Sequence, residues 1–161
     1  MKGFIPEKDY ARIRRSVPIV CVDAIIMTPH GILLGVRNNA PAKGKVWFIG
    51  GRVHFGERMA DAVLRKVREE TGLRVRIEGF VEADSTIFPE REKFHTINFT
   101  YLVKQTGGRL RADSQHSRFV FVNSLDRRLH PYIRRLISNS GTLERKSTTR
   151  PRRTAIDFSV R

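Results

Sequence analysis

Apolar and polar positions alternate with two periods along this chain. Residues 17–27, VPIVCVDAIIM, form a nearly unbroken apolar run rich in β-branched side chains, and residues 32–37, ILLGVR, form a second. The TPHG turn between them makes the pair a β-hairpin candidate. VWFIG, 46–50, reads as a short strand after a Pro- and Gly-containing loop, and RVHFGE as another loop. Residues 73–86 look extended, with Gly79 marking a bulge. FHTINFTYLVK, 94–104, and RFVFV, 118–122, complete the strands, with a Gly-Gly turn and a polar loop between them.

The helical period appears in three places. PEKDYARIRRS, 6–16, opens the chain with Pro6 near its start. From about Arg58 to Thr71, Met59, Val63 and Val67 recur every four residues with Ala60 and Leu64 beside them, and Gly72 suits the left-handed position after a helix end. Residues 124–137 read as a helix interrupted or restarted near Pro131. Strands interspersed with two or three helices predict an α/β sandwich. One domain over residues 1–140 and a flexible basic tail over 141–161 are expected.

Composition narrows the class. The chain has 161 residues, 40% of them hydrophobic, enough for a buried core. No apolar run reaches the roughly 18 residues of a membrane helix, and the N-terminus lacks a secretory pattern, so cytoplasmic residence is expected. Cys21 is the only cysteine and reads as a small core residue. The formal net charge is +15; residues 144–161 contribute six bases against two acids, so most of the excess lies in the body. Such a surface suits an anionic partner such as a nucleotide, a phosphorylated sugar or RNA; a general bias toward Arg explains the charge equally well.

RKVREETG, 65–72, carries the candidate chemistry. On a helical wheel Met59, Val63 and Val67 share one arc, expected to face the core, while Ala62, Lys66, Glu69 and Glu70 share the next. Two adjacent glutamates can bind a hard cation such as Mg²⁺. They can equally form a solvated face with Arg65–Glu69 and Lys66–Glu70 pairs, each contributing about 0.2–0.5 kcal/mol. What precedes the helix shifts the balance. GGRVHFGERMADAVLRKVREETGL, 50–73, sets Gly51, Glu57, Arg65, Val67, Glu69, Glu70, Gly72 and Leu73 at spacings that resemble the Nudix box over 23 residues. The resemblance implies a Nudix-type α/β/α sandwich with a mixed β-sheet. It also implies a divalent-cation-dependent hydrolase of nucleoside diphosphates linked to another group. One position departs: the family has a glutamate directly after the arginine, and this chain has Lys66.

DYARIRRSVPIVCVDAI and LLGVRNNAPAKGKVWFIGGR resemble the GDP-mannose mannosyl hydrolase branch of that family, and Gln115-His116 resumes the likeness. That branch also lacks the usual glutamate, and substitutes at the sugar C1 to release GDP and free sugar. The resemblance makes His116 the general base, a role suited to a group titrating near neutrality, with His54 as the competing candidate and His95 as structural. It gives Mg²⁺, with Mn²⁺ as an alternative, to Glu70, the Gly50 carbonyl and Gln115, with Glu69 as a further ligand. Arg37 and Arg52 would hold the diphosphate with guanidinium forks, and Asp23 would help bind substrate. Independently, an Asp inside an apolar strand is costly unless paired. Tyr10 could stack on the guanine, and Lys66 could reach a phosphate oxygen. Arg65 is expected to orient the glutamates, and Trp47 to be core. Ile49 stands where the branch usually has Pro, and a tyrosine expected near Ile97 is missing. The branch is often dimeric, which adds a homodimer to the expected partners. Two alternatives stand beside this reading: a conventional Nudix pyrophosphohydrolase cutting at phosphorus of a nucleotide sugar or NTP, and a non-catalytic protein binding RNA or nucleotide through its basic surface.

Overall fold

The computed structural model describes residues 5–39, 43–88, 94–111 and 116–143. The elements run α1 (Glu7–Ser16), β1 (Ile19–Thr28), β2 (Gly31–Arg37), β3 (Val46–Trp47), β4 (Ile49–Arg52), α2 (Met59–Thr71), β5 (Leu73–Phe88), β6 (Phe94–Gly108), β7 (His116–Val122) and α3 (Pro131–Asn139). The strands form one mixed sheet. Its path is β3-β2-β1-β6-β5, with β4 also pairing β1 and β7 also pairing β2. Only the β1–β6 pairing is parallel among those described; the others are antiparallel.

The unbroken apolar character of β1 follows from its position. Every residue from Cys21 to Ile26 is buried, because helices cover the sheet on both sides. Val22, Ala24 and Ile26 pack with Ala62, Val63 and Val67 of α2. Ile25 packs with Ile133, Leu136 and Ile137 of α3, where Phe48 is also enclosed. Alternation along the strand thus divides the core into two layers. Cys21 is buried as expected, and its thiol is pushed up to about 12, chiefly by burial.

Several expectations hold. The β1–β2 hairpin closes at Thr28↔Gly31, where Thr28 Oγ1 accepts from the His30 N–H at 3.1 Å. The β5–β6 register shifts between Ile77 and Gly79, the bulge foreseen there. Gly72 ends α2 at φ 72°, in the left-handed region.

Others are corrected. The buried face of α2 is Ala62, Val63, Lys66, Val67, Glu70 and Thr71, whereas Met59 and Leu64 are 36% and 37% exposed. The core-facing arc is therefore turned toward the charged positions. The expected turn at Gly107-Gly108 belongs to β6, where these residues pair with Arg74 and Leu73. Arg52 lies in β4 rather than in a loop. Residues 124–130 are not helical: α3 starts at Pro131, with the His130 side chain accepting from the Tyr132 N–H. A proline fits the first helical turn, where no intrahelical partner for its nitrogen is needed. Trp47 is half-buried and stacks on Tyr132 with ring centroids 5.5 Å apart and planes at 11°. The expected tail lies outside the described residues from 144 onward. No helix among the described residues is long and apolar enough to cross a membrane.

Candidate active site

Two glycines let the site form. β4 lies antiparallel against β1, with Asp23 opposite Gly50 and Val22 opposite Gly51. A Cβ on Gly50 would collide with the Val22 carbonyl and with Asp23 Oδ1. A Cβ on Gly51 would stand 2.8 Å from Lys66 Cε. The bare backbone of β4 therefore makes room for the lysine stem reaching over from α2. Lys66 and Glu70, one helical turn apart, are 8% and 1% exposed.

The lysine ammonium makes an ion pair with Glu70 Oε1 and lies 3.6 Å from Glu69 Oε2. The Glu69 side chain is 51% exposed. Arg65 clamps the helix to the preceding loop. Its Nε and Nη2 donate to the two oxygens of Glu57 at 2.7 and 2.8 Å, its Nη1 donates to Glu69 at 3.1 Å, and Nη2 also reaches the Arg52 carbonyl at 3.1 Å. Glu57 further accepts the His54 N–H at 2.9 Å. Held by Arg65, the Glu57 carboxyl is lowered to about 2. This geometry matches the orienting role expected of Arg65 and makes Glu69 its partner.

Asp23 belongs to the other layer. It is 7% exposed, and Tyr132 Oη donates to its Oδ2 at 3.3 Å. Burial raises its carboxyl to about 6, against the lowering effects of the Tyr132 hydrogen bond and the Arg37 charge. The costly acid is thus paired, as the sequence required. Burial lowers Arg37, and the charges of Glu70 and Asp23 raise it. Arg37 therefore stands within electrostatic reach of both acids. Its backbone is the β-partner of His116. Tyr132 was not singled out from sequence. It lies 109 residues from Asp23, and a Tyr on an amphipathic helix carries no signal of that contact.

The remaining candidates divide. Arg52 sits over the Tyr10 ring at 4.2 Å, a cation–π contact that tethers α1 to β4. The ring expected for guanine is therefore engaged by the arginine expected for phosphate. His54 is half-exposed beside Glu57. His95 shares a 2.8 Å hydrogen bond with Ser85 Oγ, in keeping with a structural role. Gln115 and the His116 side chain lie outside the described residues.

Among the described residues no group of three or more His, Cys, Asp or Glu side chains could hold a metal ion. The hard oxygen donors that α2 brings here are the buried Glu70 and the more exposed Glu69. Such a set fits a Mg²⁺ that keeps several waters and takes one or two carboxylates plus substrate phosphates. It does not fit an all-protein cage.

Comparison with known proteins identifies the family. The NUDIX domain family model matches residues 17–139. The chain therefore belongs to the NUDIX family, and it is a Nudix hydrolase, a class that generally uses divalent metals and acts on nucleotide substrates. It is 33% identical over 139 residues to the low-salt glycan biosynthesis protein Agl8 of Haloferax volcanii, spanning 83% of this chain and 88% of that one. It is 34% identical over 128 residues to an ADP-ribose pyrophosphatase of Methanocaldococcus jannaschii, spanning 77% and 75%. A MutT NUDIX hydrolase structure from Burkholderia pseudomallei superposes with a TM-score of 0.67 at 25% identity, covering 77% of this chain and 98% of the other.

Proposed function

We propose that this Nudix hydrolase acts on a nucleoside diphosphate sugar, with GDP-mannose as the leading substrate, and cuts at the sugar C1 to release GDP and free sugar. One observation carries the reading: inside the box, where a further carboxylate would help bind metal or activate water for attack at phosphorus, Lys66 lies buried against Glu70. A site with fewer carboxylates is better suited to stabilising a leaving diphosphate than to activating water for attack at phosphorus. The base then comes from elsewhere. His116 is that base: its backbone pairs with Arg37 at the end of β2, next to the arginine that would grip the diphosphate. The relative named for glycan biosynthesis supports a nucleotide-sugar substrate.

In the reaction, water adds its oxygen to C1, a proton passes to His116, and the bond from C1 to the diphosphate oxygen breaks with its electron pair leaving on GDP. Arg37 and Arg52 hold the diphosphate, and Asp23 binds the substrate from the α3 side. A divalent cation held by Glu70, the Gly50 carbonyl and Gln115, with Glu69 in reach, would supply charge stabilisation to the departing phosphates.

A second reading is favoured by the ADP-ribose pyrophosphatase relative: hydrolysis at phosphorus, giving a nucleoside monophosphate and a sugar phosphate. Incubation with GDP-mannose and Mg²⁺ in ¹⁸O-water separates the two. Label in the free sugar supports substitution at carbon, and label in a phosphate product supports the alternative. His116→Gln should cost at least about 100-fold in kcat, and an unchanged rate removes His116 from the mechanism.

A further inference from the structure

We propose that the Lys66 ammonium is a tethered cation that takes the place of one divalent ion beside Glu70, so that this site recruits fewer metal ions than its glutamates alone would. The inference rests on the reading of the box glutamates as the cation site, and is independent of which bond is cut.

Three features carry it. The ammonium contacts Glu70 Oε1 and stands 3.6 Å from Glu69 Oε2, an oxygen that Arg65 Nη1 also reaches at 3.1 Å, so fixed positive charge already faces both carboxylates. It is buried at 8% exposure on a carboxylate that is 1% exposed, and a pair enclosed in this way is screened little by salt. Its stem is seated rather than free: Cε lies over Gly51, where even a methyl group would stand 2.8 Å away. Gly51 therefore keeps open the space that the lysine fills. A metal ion approaching the same oxygen of Glu70 meets a like charge, which weakens its binding. The tethered charge cannot be chelated away and does not depend on the metal concentration.

Mn²⁺ alone is the probe, titrated into metal-free protein with free Mn²⁺ read by electron paramagnetic resonance, so no substrate or turnover is needed. Lys66→Gln should bind Mn²⁺ at least about 10-fold more tightly than wild type. Lys66→Glu should bind one more Mn²⁺ per chain. Lys66→Arg, which keeps the charge, should stay near the wild-type affinity and stoichiometry. Circular dichroism checks that each variant is folded; where Lys66→Glu is not, the comparison of Lys66→Gln with Lys66→Arg decides. Wild-type affinity and stoichiometry in both Lys66→Gln and Lys66→Glu would overturn the tethered-cation role while leaving the cation site in place. Absence of Mn²⁺ binding from wild type and all variants would overturn the cation-site reading and this inference together.

Discussion

The two helices that cover the sheet differ in what they bury. α3 places Ile133, Leu136 and Ile137 in the core, and its cation Arg135 lies at the surface, bonded to Glu82 and Asp84 of β5. α2 buries Ala62, Val63 and Val67 but carries Lys66 and Glu70 down with them. The residues that α3 buries are all apolar. The α2 layer accepts an enclosed ion pair, whose desolvation can outweigh its Coulombic gain. A charged pair held in a core-facing helix against a glycine-lined strand is therefore better understood through chemistry than through stability.

The largest effect that would test this contrast is on activity. Glu70→Gln should lower the rate with a nucleotide sugar and Mg²⁺ by at least roughly 100-fold, the several kcal/mol a misplaced catalytic cation represents. Steady-state kinetics on the folded variant checks it, and a near-normal rate would remove Glu70 from the chemistry. Leu136→Ala, on the opposite layer and fully buried, should instead cost about 2–5 kcal/mol of stability. Chemical denaturation should show that loss, with kcat preserved below the unfolding transition.

A smaller effect should appear in the pH dependence. The Asp23 carboxyl titrates near 6 when folded, against an ordinary value of 3.8. Between those values the native state holds a proton that the unfolded chain has released, so its contribution is full below about pH 4 and is lost as pH climbs to about 6. Asp23→Asn should flatten that decline and raise stability at pH 7 by on the order of 2 kcal/mol, while impairing turnover. Urea midpoints at pH 4 and pH 7 read the difference, and an equal slope in both proteins would refute it. The smallest effect is expected at Arg135→Ala. Its half-exposed surface pairs should be worth no more than about 1 kcal/mol, and Mn²⁺ binding should not change.

Much of this molecule was legible along the chain because local physics decides it. The apolar, β-branched run of β1 read as a strand, the four-residue period located α2, and Gly72 had a reason to stop it. The residues from Gly51 to Leu73 resembled the Nudix box, and Lys66 stood out as a departure from the family pattern, before any fold was known. Pro131 was read as an interruption or a restart, and the structure decides for the start of a helix there.

Contacts between distant segments were settled only by folding. The wheel placed Lys66 on an arc beside the core, but only the fold showed that α2 is turned so that the Lys66 stem lies against Gly51 of β4. That rotation buries the lysine and leaves Met59 half-exposed. The apolar period could not reveal it, because a period defines a stripe but not which edge of the stripe meets a partner. Tyr132 became the donor to Asp23 because α3 packs across the far face of β1. No local pattern encodes a hydrogen bond spanning 109 residues. Periodicity and spacing determined the elements and the kinds of side chain available for chemistry. Close packing of one element against another decided which charges left water and which partners met them.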